Sequence, residues 1–354
     1  MDHTEQLLKE LTEAHGVPGY EMEIRDIARR HLEPLGVLEQ DRIGSVVCRQ
    51  GEGRPRVMLA GHMDEIGFMV YHVTEDGFLK FKPLGGWWDQ VLLAQRVIVK
   101  THKGDLTGVI GAKPPHLISS DERKKLVEKK DMYIDVGATS KEEVEALGVR
   151  VGDAVVPASR FEILASGKTY ISKAFDDRLG VALTIEAMRH FAEADHPNSL
   201  YGAITVMEEV GTRGARTSVE VVDPDVAIVL DSDIAGDVPG IKPEVCDNKL
   251  GGGPSLLFLD ARMIPNLKLR DLVIETAEEL DIPLQFSVMT GGATDGAPIH
   301  LHKSGVPTVV LGVPARHIHS HSSIMHREDY DGALKLLIAV IEKLDAETVA
   351  SLVP

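Results

Sequence analysis

Apolar runs in this 354-residue chain repeatedly deliver a carboxylate or an imidazole where they end. RVMLAGH, residues 56–62, runs into His62 and then Asp64; AITVM, residues 203–207, leads into Glu208 and Glu209. DVAIVL, residues 225–230, ends on Asp231, and TVVLGVP, residues 308–314, is followed shortly by His319. A fifth site, Asp176-Asp177 in KAFDDRLG, stands at the mouth of a helical pattern. In an open α/β sheet, sites form outside the carboxyl ends of the strands. The chain must therefore stack these runs side by side and gather their polar ends on one rim.

The surrounding rhythm supports such a sheet. Leu7, Leu8 and Leu11 space one helix, stopped at Gly16, and Ile24, Ile27, Ala28, Leu32 and Leu35 space a second. A short strand is expected over 45–49 and a buried one over 56–60. Later, helix 177–193, strands 199–207 and 225–230, helix 268–280, strands 284–289 and 307–311, and a helix near 328–345 alternate. This predicts an α/β fold, a central mixed sheet with helices on both faces.

Residues 68–163 have a different texture. VYHVTEDGFLKFKPLGG, QRVIVKTHKGDLTGVIG and GDAVVPASRFEIL are rich in strand and turn signals, with hairpin connections at Glu-Asp-Gly and Lys-Gly-Asp. The charged stretch 121–130 reads as helix-like. The expected organisation is a catalytic domain of residues 1–67 and 164–354, interrupted by a small β-barrel-like domain, a normal size for an insertion.

Composition narrows the function. A net charge of −17 makes nucleic acid and anionic membrane surfaces poor partners. No stretch approaches the ~18 consecutive apolar residues of a membrane span, and MDHTEQLLKELTEAHG lacks the apolar core of a secretory signal. Two cysteines without a CxxC exclude a cysteine-based zinc site and suit a reducing cytoplasm, the expected location.

Singly, each polar site has an ordinary explanation. His62 and Asp64 could be a hydrogen-bonded pair, Asp176 or Asp177 a helix cap, and Glu208-Glu209 a surface pair. Together, acidic and imidazole groups ending separate core elements would repel one another or stay unpaired unless cations joined them. Two His with Asp, Asp and Glu, and no Cys, form an N/O ligand set suited to zinc, cobalt or manganese. Five side chains suffice for two metals that share a bridging carboxylate. Glu208, beside Glu209, then serves as general base for a bridging water, and Asp64 orients His62.

GHMDEIGFM, KAFDDRLG, EEVGTRGA, LDSDIAGD, GGATDGAPIHL and RHIHSH together resemble the signatures of the tetrahedral (TET) aminopeptidases, co-catalytic dimetal peptidases of the glutamyl and deblocking type. The resemblance spans nearly the whole chain, in order. It implies that His62, Asp176, Glu209, Asp231 and His319 hold two divalent metal ions per subunit, zinc or cobalt or else manganese, with Asp176 bridging. Glu208 is then the base and Asp64 the orienting carboxylate, with a cis peptide between Asp176 and Asp177. The implied activity is removal of N-terminal residues from short peptides. The implied assembly is a homo-oligomer, a tetrahedral dodecamer with the inserted domain at dimer contacts, and the apolar strands FMVYHV and WWDQVLLAQRVIV read as exposed surface for it. This chain departs from the family pattern at His317, where Tyr is common, and at Ala293, where Gly is. His321 reads as a hydrogen-bonding neighbour rather than a ligand.

Two enzymatic alternatives compete. In dimetal carboxypeptidases and deacylases the extra domain interrupts the chain after the Glu-Glu pair, whereas here residues 68–163 fall between the HxD and the Asp-Asp. An endoglucanase needs two carboxyls ~5 Å apart that flank a sugar bond, with aromatic platforms; adjacent Glu208 and Glu209 flank poorly, and aromatic content is 5%. A non-catalytic scaffold would have lost a base or ligand, and none is missing.

Overall fold

The structure, a computed structural model, describes residues 1–353. Helices α1 (His3–Glu13) and α2 (Met22–Leu32) come first, then strands β1 (Val37–Gln40), β2 (Val46–Gln50) and β3 (Arg56–His62). Six strands follow: β4 (Gly67–Val73), β5 (Leu79–Leu84), β6 (Arg96–Thr101), β7 (Gly104–Gly111), β8 (Tyr133–Asp135) and β9 (Ala154–Pro157), with helix α3 (Lys141–Ala146) between the last two. They close into a barrel in the order β4-β5-β8-β7-β6-β9. The first hairpin turn falls at Asp76-Gly77, as the turn residues predict, and the second at His102-Lys103, one residue ahead of the expected Lys-Gly-Asp, whose Gly104 and Asp105 already belong to β7.

The chain then rejoins the first sheet. β10 (Glu162–Ile163), β11 (Thr169–Ser172), α4 (Phe175–Phe191), β12 (Ser199–Thr205), α5 (Arg213–Val222) and β13 (Val226–Ile234) come next. β14 (Ser255–Leu259), α6 (Leu267–Glu279), β15 (Gln285–Val288), α7 (Gly296–Ile299), β16 (Thr308–Arg316), β17 (Ser323–His326), α8 (Arg327–Lys343) and α9 (Ala346–Leu352) complete it. The sheet order is β1-β2-β12-β3-β13-β16-β17-β11-β10, with β14 beside β16 and β15 beyond β14. β12, β3, β13 and β16 run parallel at its centre, flanked by antiparallel strands, so the sheet is mixed.

α4 is the central helix, buried along most of its length against the sheet. It approaches β3 and β13 so closely that a Cβ on Gly61 would lie 2.7 Å from the carbonyl carbon of Gly180, and one on Gly180 would collide with Leu230 O of β13. Glycine at both positions brings the start of α4 to the end of β3. The barrel has its own core, in which the Phe68 ring stacks on Trp87 at 4.8 Å and meets Phe81 edge-on at 4.9 Å.

Three expectations are corrected. Residues 121–130 form no α-helix, only the short 3-10 turns Glu122–Lys124 and Lys129–Asp131, because the charged stretch has no apolar face to bury. Asp231 lies inside β13, which runs on to Ile234 through pairing with β16. The apolar strands of the insert are mostly inward: Phe68, Val70, Leu92, Val97 and Val99 fill the barrel, and of the large apolar side chains in those segments only Tyr71, Trp88 and Leu93 are exposed.

Candidate metal centre

His62 is the last residue of β3, and its parallel neighbour across the sheet is Thr205, the last residue of β12. The turn after β12 therefore brings Glu208 and Glu209 beside His62. Three consecutive amides of that turn are held by carboxylates: Met207 N–H donates to Glu21 at 3.1 Å, and Glu208 and Glu209 N–H donate to the two oxygens of Asp64 at 3.0 and 3.1 Å. Asp64 also faces His62, whose Nδ1 lies 3.0 Å from the Asp64 carbonyl and 3.5 Å from its carboxylate.

Asp176 and Asp177 open α4 and are joined by a cis peptide. Their side chains part there. Asp177 turns into the core and accepts the His62 and Gly180 amides at 3.0 and 2.9 Å. Asp176 faces the imidazoles, with Oδ1 3.3 Å from His62 Nε2 and Oδ2 3.2 Å from His319 Nε2. His319 is 3.5 Å from Glu209 Oε1 and is oriented from the barrel side, where Gly86 O lies 2.7 Å from its Nδ1. Ligand-type atoms of His62, Asp176 and Glu209 lie within 4.8 Å of one another, as do those of His62, Asp177 and Asp231. All seven residues singled out in the sequence thus meet in one place, and Asp177 joins them.

Electrostatics mark the same spot. Burial opposes charge on His62, but Asp176, Asp64 and Glu208 beside it hold its pKa well above the imidazole value. His319 is pushed up to about 10, its burial outweighed by Asp176 and Glu209. Burial raises Glu208 and Asp231 well above the carboxylate range, and burial with Asp176 nearby raises Glu209 to about 8. Only Asp176, between two imidazoles, is pulled down. The side chains fit a divalent cation: Glu209 Oε1 is buried with no hydrogen-bond partner among the described residues, and the donors are imidazole and carboxylate alone.

The loops that carry the site are conformationally costly. Ala174, Met207, Thr212, His317 and His319 all take left-handed backbone, with φ of 56, 54, 51, 61 and 55°. Each such non-glycine residue costs on the order of 1–3 kcal/mol and persists where its surroundings enforce it.

Sequence reasoning missed the supports: Glu21, Gly86, Asp295 beside Thr205, and the Glu65–Lys173–Arg178 cluster. The run of Asp64-Glu65 and the bracketing of Asp176-Asp177 by Lys173 and Arg178 were the available signals. His321 is corrected: both ring nitrogens are buried without a hydrogen-bond partner among the described residues, and the ring packs 5.1 Å from Trp87, so it acts as an apolar group.

Residues 44–336 match the family model described as M42 glutamyl aminopeptidase. The chain belongs to the M42 glutamyl aminopeptidase family. It is 36% identical to the lysyl aminopeptidase of Pyrococcus furiosus over 96% of this chain and 97% of that one. Its fold matches a TET aminopeptidase from the marine sediment archaeon Thaumarchaeota archaeon SCGC AB-539-E09 with TM-score 0.97 and 49% identity, covering 99% and 98% of the chains. It also matches Pyrococcus horikoshii TET1 peptidase, which can assemble into a tetrahedron or a large octahedral shell, with TM-score 0.87 and 35% identity over 96% and 100%. This M42 chain is accordingly a metalloaminopeptidase, a hydrolase acting on peptide bonds, and the cavity holding its polar centre is its candidate active site.

Proposed function

We propose that this enzyme removes N-terminal residues from short peptides at a two-cation centre formed by His62, Asp176, Glu209, Asp231 and His319. The observation that carries the reading is the Asp176 carboxylate, which presents one oxygen to each of two imidazoles, the arrangement a bridging ligand needs. Divalent cations held by these side chains would supply Lewis acidity and make a nearby water easier to deprotonate. Glu208 takes the proton from the water that attacks the first peptide carbonyl and later returns it to the leaving amine. Asp64 fixes both the His62 ring and the backbone of the Glu208-Glu209 turn.

The relatives' shells support a homo-oligomer, and a tetrahedral dodecamer is the form we propose. The barrel keeps Trp88, Leu117 and Leu126 at 66, 82 and 74% exposure, apolar surface suited to the dimer contact. Among the described residues, no helix is long and apolar enough to cross a membrane; we place the enzyme in the cytoplasm.

A panel of aminoacyl-nitroanilides tests the reading. Chelated protein is resupplied in turn with zinc, cobalt and manganese, and turnover is expected to return with at least one of them. No cleavage of any unblocked substrate, or internal cleavage of long unfolded chains, would overturn it.

A further inference from the structure

The cavity that contains the polar centre measures about 1290 Å³, whereas pockets for drug-sized ligands run to about 300–1,000 Å³. It has room for several residues of a peptide. Phe286, Ser287 and Val288 of β15 line it. β15 pairs with β14 on one side and, among the described residues, with no strand on the other.

The free edge has a definite chemistry. Gln285 N–H donates to Pro254 O at 2.9 Å and Met289 N–H to Leu259 O at 2.8 Å. By the alternation of a strand, the odd positions serve β14 and the backbone groups of Phe286 and Val288 point away from it. Ser287 Oγ donates to Asp233 at 3.0 Å, which fixes the rotation of the strand. Phe286 and Val288 are left 52 and 63% exposed. An open apolar edge is a template for another strand. This one opens into the cavity of the catalytic centre. Beyond Val288 the chain passes through 291–294, also on the cavity wall, to Asp295, which binds Thr205 at the end of β12.

We propose that β15 is the docking edge for the substrate backbone. The free amine of the peptide sits at the polar centre, and the following residues add as an extra strand along the free edge of β15, with side chains against Phe286 and Val288. The inference rests on the aminopeptidase reading and sharpens its substrate class. Favoured substrates are extended peptides of three or more residues with apolar side chains after the first, and a helical or folded N-terminus cannot make the pairing.

Metal-loaded full-length enzyme tests this with the best nitroanilide of the panel and a tetrapeptide, X-Val-Ala-Val, where X is the same N-terminal residue. The tetrapeptide is also made with an N-methyl group on residue three, and separately on residue four. Edge pairing uses alternate amides, so one methylation is expected to raise KM about 5- to 10-fold, the loss of one net hydrogen bond, and the other to leave it near the parent value. Val288→Pro, tolerated on an edge strand, is expected to raise the ratio of tetrapeptide KM to nitroanilide KM and to erase the difference between the methylated peptides. Equal KM for all three peptides overturns the proposal. So does a Val288→Pro variant that keeps the discrimination but changes the particle mass, which would make the edge a subunit contact. If no nitroanilide is cleaved, the aminopeptidase reading fails and takes the docking edge with it.

Discussion

Glu208 and Glu209 are neighbours in sequence with different surroundings. Glu209 points an unpartnered oxygen toward His319 and lies within ligand reach of His62 and Asp176, while Glu208 stands 4.0 Å from His62 with Asp295 and Asp231 as its acidic company. Under the proposed roles, Glu208→Gln lowers kcat about 100-fold or more with metal content unchanged, since it removes a base and no ligand. Glu209→Gln lowers bound metal, measured by plasma emission after gel filtration. Equal metal loss in the two variants would remove the division between them. Asp64 offers a sharper case because its carboxylate serves two amides at once. An asparagine oxygen can replace one acceptor while its NH₂ faces the other donor. Asp64→Asn is expected to cost about 10- to 100-fold in metal affinity or activity. Wild-type affinity and rate in that variant would show that the Asp64 carboxylate orients nothing.

At the level of elements, the loop after β3 and the start of α4 are locked by charge inside the protein. Glu65 Oε1 lies 2.5 Å from Lys173 Nζ and 3.6 Å from the Arg178 guanidinium, and all three side chains are buried. Lys173 also donates to Ala14 O, and Arg178 to Leu11 and Gly16 O, which ties the end of α1 to the same point. Burial draws the Lys173 amine down to about 8, so the cations depend on Glu65 for company. Glu65→Leu strands them and is expected to cost about 3–5 kcal/mol in urea unfolding. Adding Lys173→Met should restore part of the loss, because the remaining buried charge is then single and held by backbone carbonyls. A Glu65→Leu protein as stable as the wild type would show that the cluster contributes no net stability.

For the whole molecule, the insert both completes the site and presents a surface. Gly86, at its rim, orients His319, while Trp88 next to Gly86-Trp87 points outward. Twelve copies of the 38.6 kDa chain (12 × 38.6) come to about 463 kDa. Light scattering at micromolar concentration with metal present should give a mass near that value, and Trp88→Glu should lower it by placing a charge in the proposed dimer contact. A stable wild-type mass of one or two chains would dispose of the shell.

The apolar runs and their polar ends were legible in the sequence because strand burial and strand termini are local properties. A run such as VMLA must go inside, and the polar residues at its end must come out at the rim. The α/β alternation likewise predicted a central sheet with helices on both faces, while the order of its strands came only with the structure. The 3-10 turns at 122–131 and the inward packing of the barrel strands could not be read from composition, because a charged stretch and an apolar strand look alike whether or not a closed barrel takes them in. The supports of the centre were hidden for a deeper reason. Glu21, Gly86 and Arg178 act on residues far away in the chain, through a backbone amide, a carbonyl oxygen and a buried ion pair. No spacing encodes such contacts. The chain by itself determined which side chains were available for chemistry; only folding decided that Asp176 faces two imidazoles while Asp177 turns into the core, because α4 packs against β3 and β13 at Gly61 and Gly180 and Asp177 there accepts the His62 and Gly180 amides.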